Sequence, residues 1–295
     1  MICWGTSYVF TAIALDCTNP LTLISLRLLI SDILLWIVIL LFFRKCPIHK
    51  KDWLYLFFLA LCEPFFYYIG ETYALDRISP VVAAPIIATI PIFTMVAMIV
   101  FWKQKMSIKN IVGVVLSLVG IVFMIVNKNM EIDVDILGIV LIFFAVFSSV
   151  GYGLIVNDLS SRINPIWLIA VQNTIGLFLF CPLWLKFGEM IDYRISSETM
   201  FLSAYSPKVI FWGSIVILSV FSSTIAFILY SISVSKIGIT KSAVFTNAIP
   251  IITALTAFFI TGEVMNPIKI FGMLVIICGL ILTQIDSERT ARTSG

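Results

Sequence analysis

Histidine is nearly missing from this chain: among 295 residues only His49 occurs, and it falls in a basic loop. Intramembrane metal binding or Ser-His chemistry therefore has almost nothing to work with. The six cysteines, Cys3, Cys17, Cys46, Cys62, Cys181 and Cys278, show no paired spacing, so they read as small apolar residues and not as a disulfide or metal framework. No glycine-rich phosphate loop ending in Lys-Ser/Thr is present, which argues against ATP hydrolysis. No metal site and no cofactor is expected. Charge is scarce as well: 12% of residues are Asp, Glu, Lys or Arg, where soluble domains carry about 25%. That shortage excludes an ordinary soluble domain.

What fills the sequence is hydrocarbon. Hydrophobic residues make up 61% and the mean hydropathy is +1.10. Apolar runs of roughly 17–25 residues, bounded by charged or turn-forming residues, mark helices long enough to cross a bilayer. Ten such runs lie at about 1–15, 21–43, 53–74, 80–102, 108–126, 137–157, 165–187, 208–235, 240–260 and 267–285. They lack the alternation of barrel strands, so the expected fold is an all-α membrane bundle of ten transmembrane helices. The first run carries no basic segment and no small-residue cleavage site, and it reads as a retained span, with Met1 either the true start or assigned a few residues late.

Loop charge predicts the orientation. With a cytoplasmic N-terminus, twelve Lys or Arg fall inside (Arg44, Lys45, Lys50, Lys51, Lys103, Lys105, Lys109, Arg162, Lys236, Lys241, Arg289 and Arg292) against six outside (Arg77, Lys128, Lys186, Arg194, Lys208 and Lys269). Both termini are thus expected in the cytoplasm. The net charge of +3 reports this topology and not affinity for nucleic acid.

An internal repeat organises the chain. Shifted by 159 residues without a gap, "RISPVVAAPIIATIPIFT" falls on "KIGITKSAVFTNAIPIIT", Pro91 on Pro250, Thr94 on Thr253, Gly113 on Gly272 and Gly120 on Gly279. A second match sets "NPLTL" (19–23) on "NPIWL" (164–168). Proline and glycine pairs are informative because each has a backbone consequence. A unit of five helices is odd, so the second unit must be inverted in the membrane. The loops agree: "WKQKMSIK" is basic, whereas its partner "TGEVMNPIK" has lost two of three lysines. The expected units are residues 1–126 and 137–285, followed by a short cytoplasmic tail, 286–295. The seven-residue spacing of each glycine pair puts both glycines on one face, predicting that the fifth and tenth helices pack closely.

These features resemble the EamA-like transporters of the drug/metabolite transporter superfamily. The resemblance rests on "WGTSYVF", on "NPLTLISLRLLISDILL", and on the paired "IPIFTMVAMIVFWKQKMSIKNIVGVVLSLVGIVF" and "IPIITALTAFFITGEVMNPIKIFGMLVIICGLIL". It implies two inverted five-helix repeats, a central cavity, and passage of small metabolites across the cytoplasmic membrane without ATP hydrolysis. Gly262-Glu263 keeps the family's Gly-Glu pair, while the first repeat has Lys103-Gln104 in its place.

Ionisable groups within hydrocarbon are costly and mark cavities or partners. At 1.5 Å per residue, Glu63 lies about 15 Å along the third helix, near the midplane, and Glu71 about 27 Å along, near the outer surface. Arg27 lies about 9 Å into the second helix and Asp32 about 16 Å. Glu63, Tyr67 and Glu71 form one stripe at i, i+4 and i+8, and Pro64 frees a backbone carbonyl beside it. The expected cavity lining is Glu63, Tyr67, Glu71, Arg27, Thr89 and Asn247, with Glu63 as carrier of a coupling proton and Pro64, Pro91 and Pro250 as hinges. The structural alternative is an Arg27–Glu71 ion pair locking two helices, with Glu63 neutral and hydrogen-bonded. Thr89 would then bond back to its own helix. The leading reading is a secondary transporter of an amino acid, a neutral metabolite or a cationic drug-like solute, with a small molecule, the bilayer and protons as partners. A monomer is expected, with a homodimer as the alternative. The second reading is a membrane-embedded enzyme on lipid-linked substrates, with Asp32 and Glu63 as acid and base.

Overall fold

The computed structural model describes residues 1–42, 48–102, 108–126, 132–193 and 205–293. The expected inside charges Arg44, Lys45, Lys103 and Lys105, the outside ones Lys128 and Arg194, and Cys46 and Gln104 lie outside the described residues. The described chain is helical nearly throughout. In order, the helices are α1 (Ile2–Leu15), α2 (Pro20–Phe42), α3 (Asp52–Leu75), α4 (Pro80–Trp102), α5 (Ile108–Ile125), α6 (Ile136–Arg162), α7 (Pro165–Phe187), α8 (Pro207–Gly238), α9 (Phe245–Thr261) and α10 (Pro267–Thr293). Seven are long and apolar enough to cross a membrane, and α1, α9 and the apolar part of α10 (Pro267–Leu282) are shorter. α10 runs on as helix to Thr293, past the residue 285 at which the hydrophobic run ends.

Local chemistry sets the helix starts. Five helices open on Asn-Pro or Ser-Pro: Asn19-Pro20, Ser79-Pro80, Asn164-Pro165, Ser206-Pro207 and Asn266-Pro267. Proline suits the first helical position because its fixed φ is helical and it has no N–H to leave unpaired. Where the preceding residue is Asn, its side-chain oxygen accepts from the open first turn, at 2.9 Å from Thr22 N, 3.0 Å from Ile166 N and 3.2 Å from Ile268 N. At the other end, α8 and α9 stop on glycines with left-handed backbones, Gly238 (φ 80°) and Gly262 (φ 72°).

Helices pair in a regular way. α2 runs along α7 and α5 along α10, while α3 packs on α6, α1 on α9 and α8, α4 on α6 and α9, α8 on α2, and α7 on α3. The α5–α10 seam is as close as the glycine spacing predicts. A Cβ built on Gly120 would stand 2.7 Å from the carbonyl oxygen of Gly272, and one on Gly272 would stand 2.8 Å from that of Gly120. The backbones touch, which in lipid is the main source of helix attraction.

Two helices are interrupted in mid-course. In α3 the turns widen over Leu61–Phe66, with Glu63 in an extended conformation (φ −146°, ψ 119°). α8 carries wide turns over Ile217–Ala226. Both segments face the interior, and they place the polar residues described next.

Candidate functional site

At the break in α3, Pro64 seats against Gly176 of α7, where any side chain would collide with its ring. The Cys62 carbonyl accepts both from the Tyr67 backbone N–H of its own helix and from Ser148 Oγ of α6, the latter at 2.6 Å. Glu63 itself is 6% exposed and its partner is Ser149 of α6.

One and two turns further along α3 lie Tyr67, Tyr68 and Glu71, all buried. Arg27 reaches this layer from α2 and is only 2% exposed. Its Nε donates to Ser223 Oγ at 2.6 Å and its Nη2 to Ser222 Oγ at 3.0 Å, both in the widened part of α8. Its guanidinium carbon sits 4.2 Å from the centroid of the Tyr68 ring, and Nη1 faces Glu71 Oε2 at 3.6 Å. Tyr68 also shares a 3.1 Å hydrogen bond with Ser223. Tyr67 donates to Glu71 at 3.4 Å and meets the Tyr8 hydroxyl of α1 at 3.2 Å. Four helices thus converge on one guanidinium–carboxylate pair. Arg27 Nη1 and Glu71 Oε2 are left without a hydrogen bond among the described residues, so the pair carries an unused donor beside an unused acceptor.

Asp32 belongs to a separate group. It accepts from Thr174 Oγ1 of α7 at 2.7 Å, and Trp36 donates to the same hydroxyl at 2.8 Å. Ser31, Thr224 and Asn173 tie α2, α8 and α7 together through bonds of 2.7 and 2.9 Å. Asp32 and Glu63 therefore have different partners.

The remaining expected residues divide. Thr89 sits at the junction of the two straight parts of α4, Pro80–Ile87 and Ile90–Trp102, and its hydroxyl bonds back to Ile86 O at 2.5 Å. Pro91 stands in the first turn after that junction. Asn247 lies in the tight turn Phe245–Ala248 that opens α9, with Pro250 just behind it. Ser222, Ser223, Tyr68 and Ser149 went unnoticed in the sequence. A signal for two of them was present: adding the repeat shift of 159 to Glu63 and Pro64 gives Ser222 and Ser223.

Ion pairs fasten the two ends of the bundle. At one end Arg162 bonds Asp52 at 2.8 Å and also pairs with Asp158. At the other, Arg77 bonds Asp135 at 2.9 Å, and this hydrogen bond, with that from Leu137 N, holds the Asp135 carboxyl below the usual carboxylate range. Glu263, in the turn between α9 and α10, has its carboxyl pushed up by burial, opposed by a hydrogen bond from Ser79 and by Lys269. Among the described residues no three His, Cys, Asp or Glu are grouped to hold a metal.

A helical bundle with apolar membrane-crossing helices, wrapped around a buried charged centre, defines a multi-pass integral membrane protein. The model of the EamA-like transporter family matches twice, over residues 1–126 and 136–285. The chain belongs to the EamA-like transporter family, and it is a membrane transporter. It is 26% identical over 294 residues to the uncharacterized transporter YcxC of Bacillus subtilis (strain 168), covering 99% of this chain and 92% of that one. An uncharacterized transporter of Archaeoglobus fulgidus is 23% identical over 286 residues, 95% of this chain and 94% of its own length. A solved crystal structure superposes with a TM-score of 0.65 at 13% identity, covering 98% of this chain and 97% of the other. At that identity the likeness concerns the fold alone.

Proposed function

We propose that the chain is a secondary transporter of a small organic solute in the cytoplasmic membrane. It works by alternating access between two inverted five-helix halves, α1–α5 and α6–α10, with both termini cytoplasmic. The packing supports this division. Exchanging each helix for the one five places along turns α2–α7 and α5–α10 into themselves, α1–α9 into α6–α4, and α3–α6 into α8–α1. All of these are contacts the bundle makes. Two halves related in this way rock about a site between them.

The observation that carries the reading is the placement of two glutamates and an arginine inside the bundle, where α2 and α3 of one half meet α8 of the other. A buried ion pair is poor stabilisation compared with a well-packed apolar core, and intramembrane acids are functional by default. Glu63, at a break in its helix and with a hydroxyl as its partner, is the carrier of the coupling proton. Arg27 and Glu71 form the substrate-responsive pair, and their burial fits an occluded stage of the cycle. Pro64, Pro91 and Pro250, each at or beside a helix interruption, are the hinges.

The experiment is flux into liposomes holding the purified chain. Solute uptake that leaves the solute chemically unchanged supports transport, and product formation without net flux would instead support an enzyme.

A further inference from the structure

Two helix contacts beside the buried centre are built in opposite ways. α3 and α6 come from different halves and are fastened along their whole length. At one end Asp52 bonds Arg162 at 2.8 Å. At the break in α3, Ser148 Oγ donates to the Cys62 carbonyl at 2.6 Å, and a Cβ built on Gly151 would stand 3.1 Å from Cys62 Sγ. One built on Gly70 would stand 2.7 Å from Leu141 O and 3.0 Å from Ala145 Cβ. Just past the far end of α3, Ile78 covers Gly138, and Arg77 bonds Asp135 at 2.9 Å.

When the halves are exchanged, the equivalent contact is α8 on α1, and there the fastenings are missing. The shift of 159 residues carries Asp52 to Phe211, Gly70 to Leu229 and Arg77 to Lys236. Phe211 has no group that can pair, Leu229 is 59% exposed, and Lys236 is exposed with no acid in α1 to meet. The hydrogen bonds that α1 makes to other helices go to α3, through Tyr8 and Tyr67, and to α9, through the Gly5 carbonyl and Thr253. Among the described residues no hydrogen bond or ion pair joins α1 to α8. Their contact is made of rings and aliphatic groups. Trp4 lies 5.2 Å from Phe227 and 5.3 Å from Tyr230 between ring centroids, and Ala14 and Cys17 pack with Phe211, Ile215 and Leu218. The centre around Arg27 is therefore bordered by one wall that is bolted and one that is not.

We propose that α3 and α6 stay together through the transport cycle as the pivot of the two halves, and that the solute path to Arg27 opens between α1 and α8. Separating α3 from α6 would break a mid-membrane hydrogen bond, for which hydrocarbon offers no replacement, and would uncover backbone at Gly70 and Gly138. Separating α1 from α8 breaks no hydrogen bond and gives up dispersion contact, which an entering solute restores. This rests on the transporter reading above and names the contact that moves.

Two native thiols report on the two contacts. Cys17 stands in the α1–α8 cluster and is 2% exposed, whereas Cys62, on the α3–α6 contact, keeps intermediate exposure. The full chain in liposomes is treated on both sides with trimethylammonioethyl methanethiosulfonate, a water-borne cation, and the modified cysteines are read by mass spectrometry. Cys17 should react at least about tenfold faster than Cys62, because a buried thiol reacts in proportion to the population that opens it. Static exposure alone would give the opposite order. Phe227→Cys, further along the α1–α8 contact, should react as Cys17 does, and Ser148→Cys as Cys62 does. Ile78→Cys with Gly138→Cys brings Cβ positions 3.6 Å apart, which suits a disulfide, and forming that bridge should leave the Cys17 rate unchanged. Reaction of Cys62 as fast as Cys17 overturns the proposal. So does protection of Cys17 and Phe227→Cys alike, or loss of Cys17 reaction once the bridge forms. If solute crosses in the flux experiment while Cys17 stays protected, this inference falls and the transporter reading stands. If Cys17 and Phe227→Cys react but no solute crosses, the moving contact stands and the transporter reading falls.

Discussion

The α5–α10 seam and the centre around Arg27 solve opposite problems with different helices. At the seam, glycines let the two backbones touch, and attraction comes from van der Waals contact together with a hydrogen bond from Ser117 Oγ to Ile276 O at 3.4 Å. At the centre, α2, α3 and α8 are held apart by large polar side chains that bond across the gap. The seam has one way to pack. The centre holds an ion pair with unused bonding capacity, two interrupted helices and a second buried carboxylate, Glu63. On the proposed transport reading, the close-packed seam and the moving site lie in different parts of the bundle, as expected where a moving site must be carried by elements that keep their shape.

That contrast can be broken in order of expected effect. Removing the Arg27 charge as Arg27→Leu leaves Glu71 ionised and unpaired in the interior. It should cost about 3–5 kcal/mol in unfolding experiments in detergent. The double variant Arg27→Leu/Glu71→Leu should recover most of that loss without recovering transport, and a double variant as unstable as the single one would mean the pair is not coupled. At the seam, Gly120→Val drives side-chain atoms into the Gly272 backbone and should cost about 1–3 kcal/mol. Flux per folded molecule should stay as in the wild type, and a changed substrate preference would show that the seam lines the path.

Smaller effects belong to the ends of the bundle, and their pH dependence has a definite sign. The Asp135 carboxyl is held low by Arg77, so its contribution to stability is present above the ordinary carboxylate range and is lost as pH falls through the depressed folded value. Asp135→Ala should flatten that acid limb of the melting-temperature profile, and the effect should fade in high salt. Glu263 has the opposite sign. Its carboxyl is pushed up by burial, so its contribution is present below the unfolded value and lost as pH rises through the folded one. Glu263→Gln should raise the melting temperature slightly at alkaline pH and leave it unchanged at acid pH.

Much of the fold was legible because its causes are local. Nine expected runs begin within a residue of the helix that formed, five of them where an Asn-Pro or Ser-Pro pair starts the helix. The seam followed from glycine spacing. The ninth run, expected from residue 240, likewise begins where the helix resumes once Gly238 has turned the chain, and the tight turn Phe245–Ala248 then interrupts it at Asn247. Polar residues in the interior were legible where they carry charge or, like Tyr67, share a helix stripe with charged ones. Arg27, Glu63 and Glu71 stood out against hydrocarbon, and an Arg27–Glu71 pair was one of two readings. Ser222, Ser223 and Ser149 did not, because a hydroxyl in an apolar helix satisfies itself on its own backbone as readily as on a partner. What separates those cases is the neighbouring helix, and only the repeat shift hints at which one it is.

The most direct test of the central claim, that Glu63 carries the proton between two inverted halves, is paired flux in proteoliposomes. Gradient-driven accumulation and solute exchange at equal pH are measured for the wild type and for Glu63→Gln. Accumulation should disappear in the variant while exchange at equal pH continues. Accumulation at the wild-type level in Glu63→Gln would contradict the account.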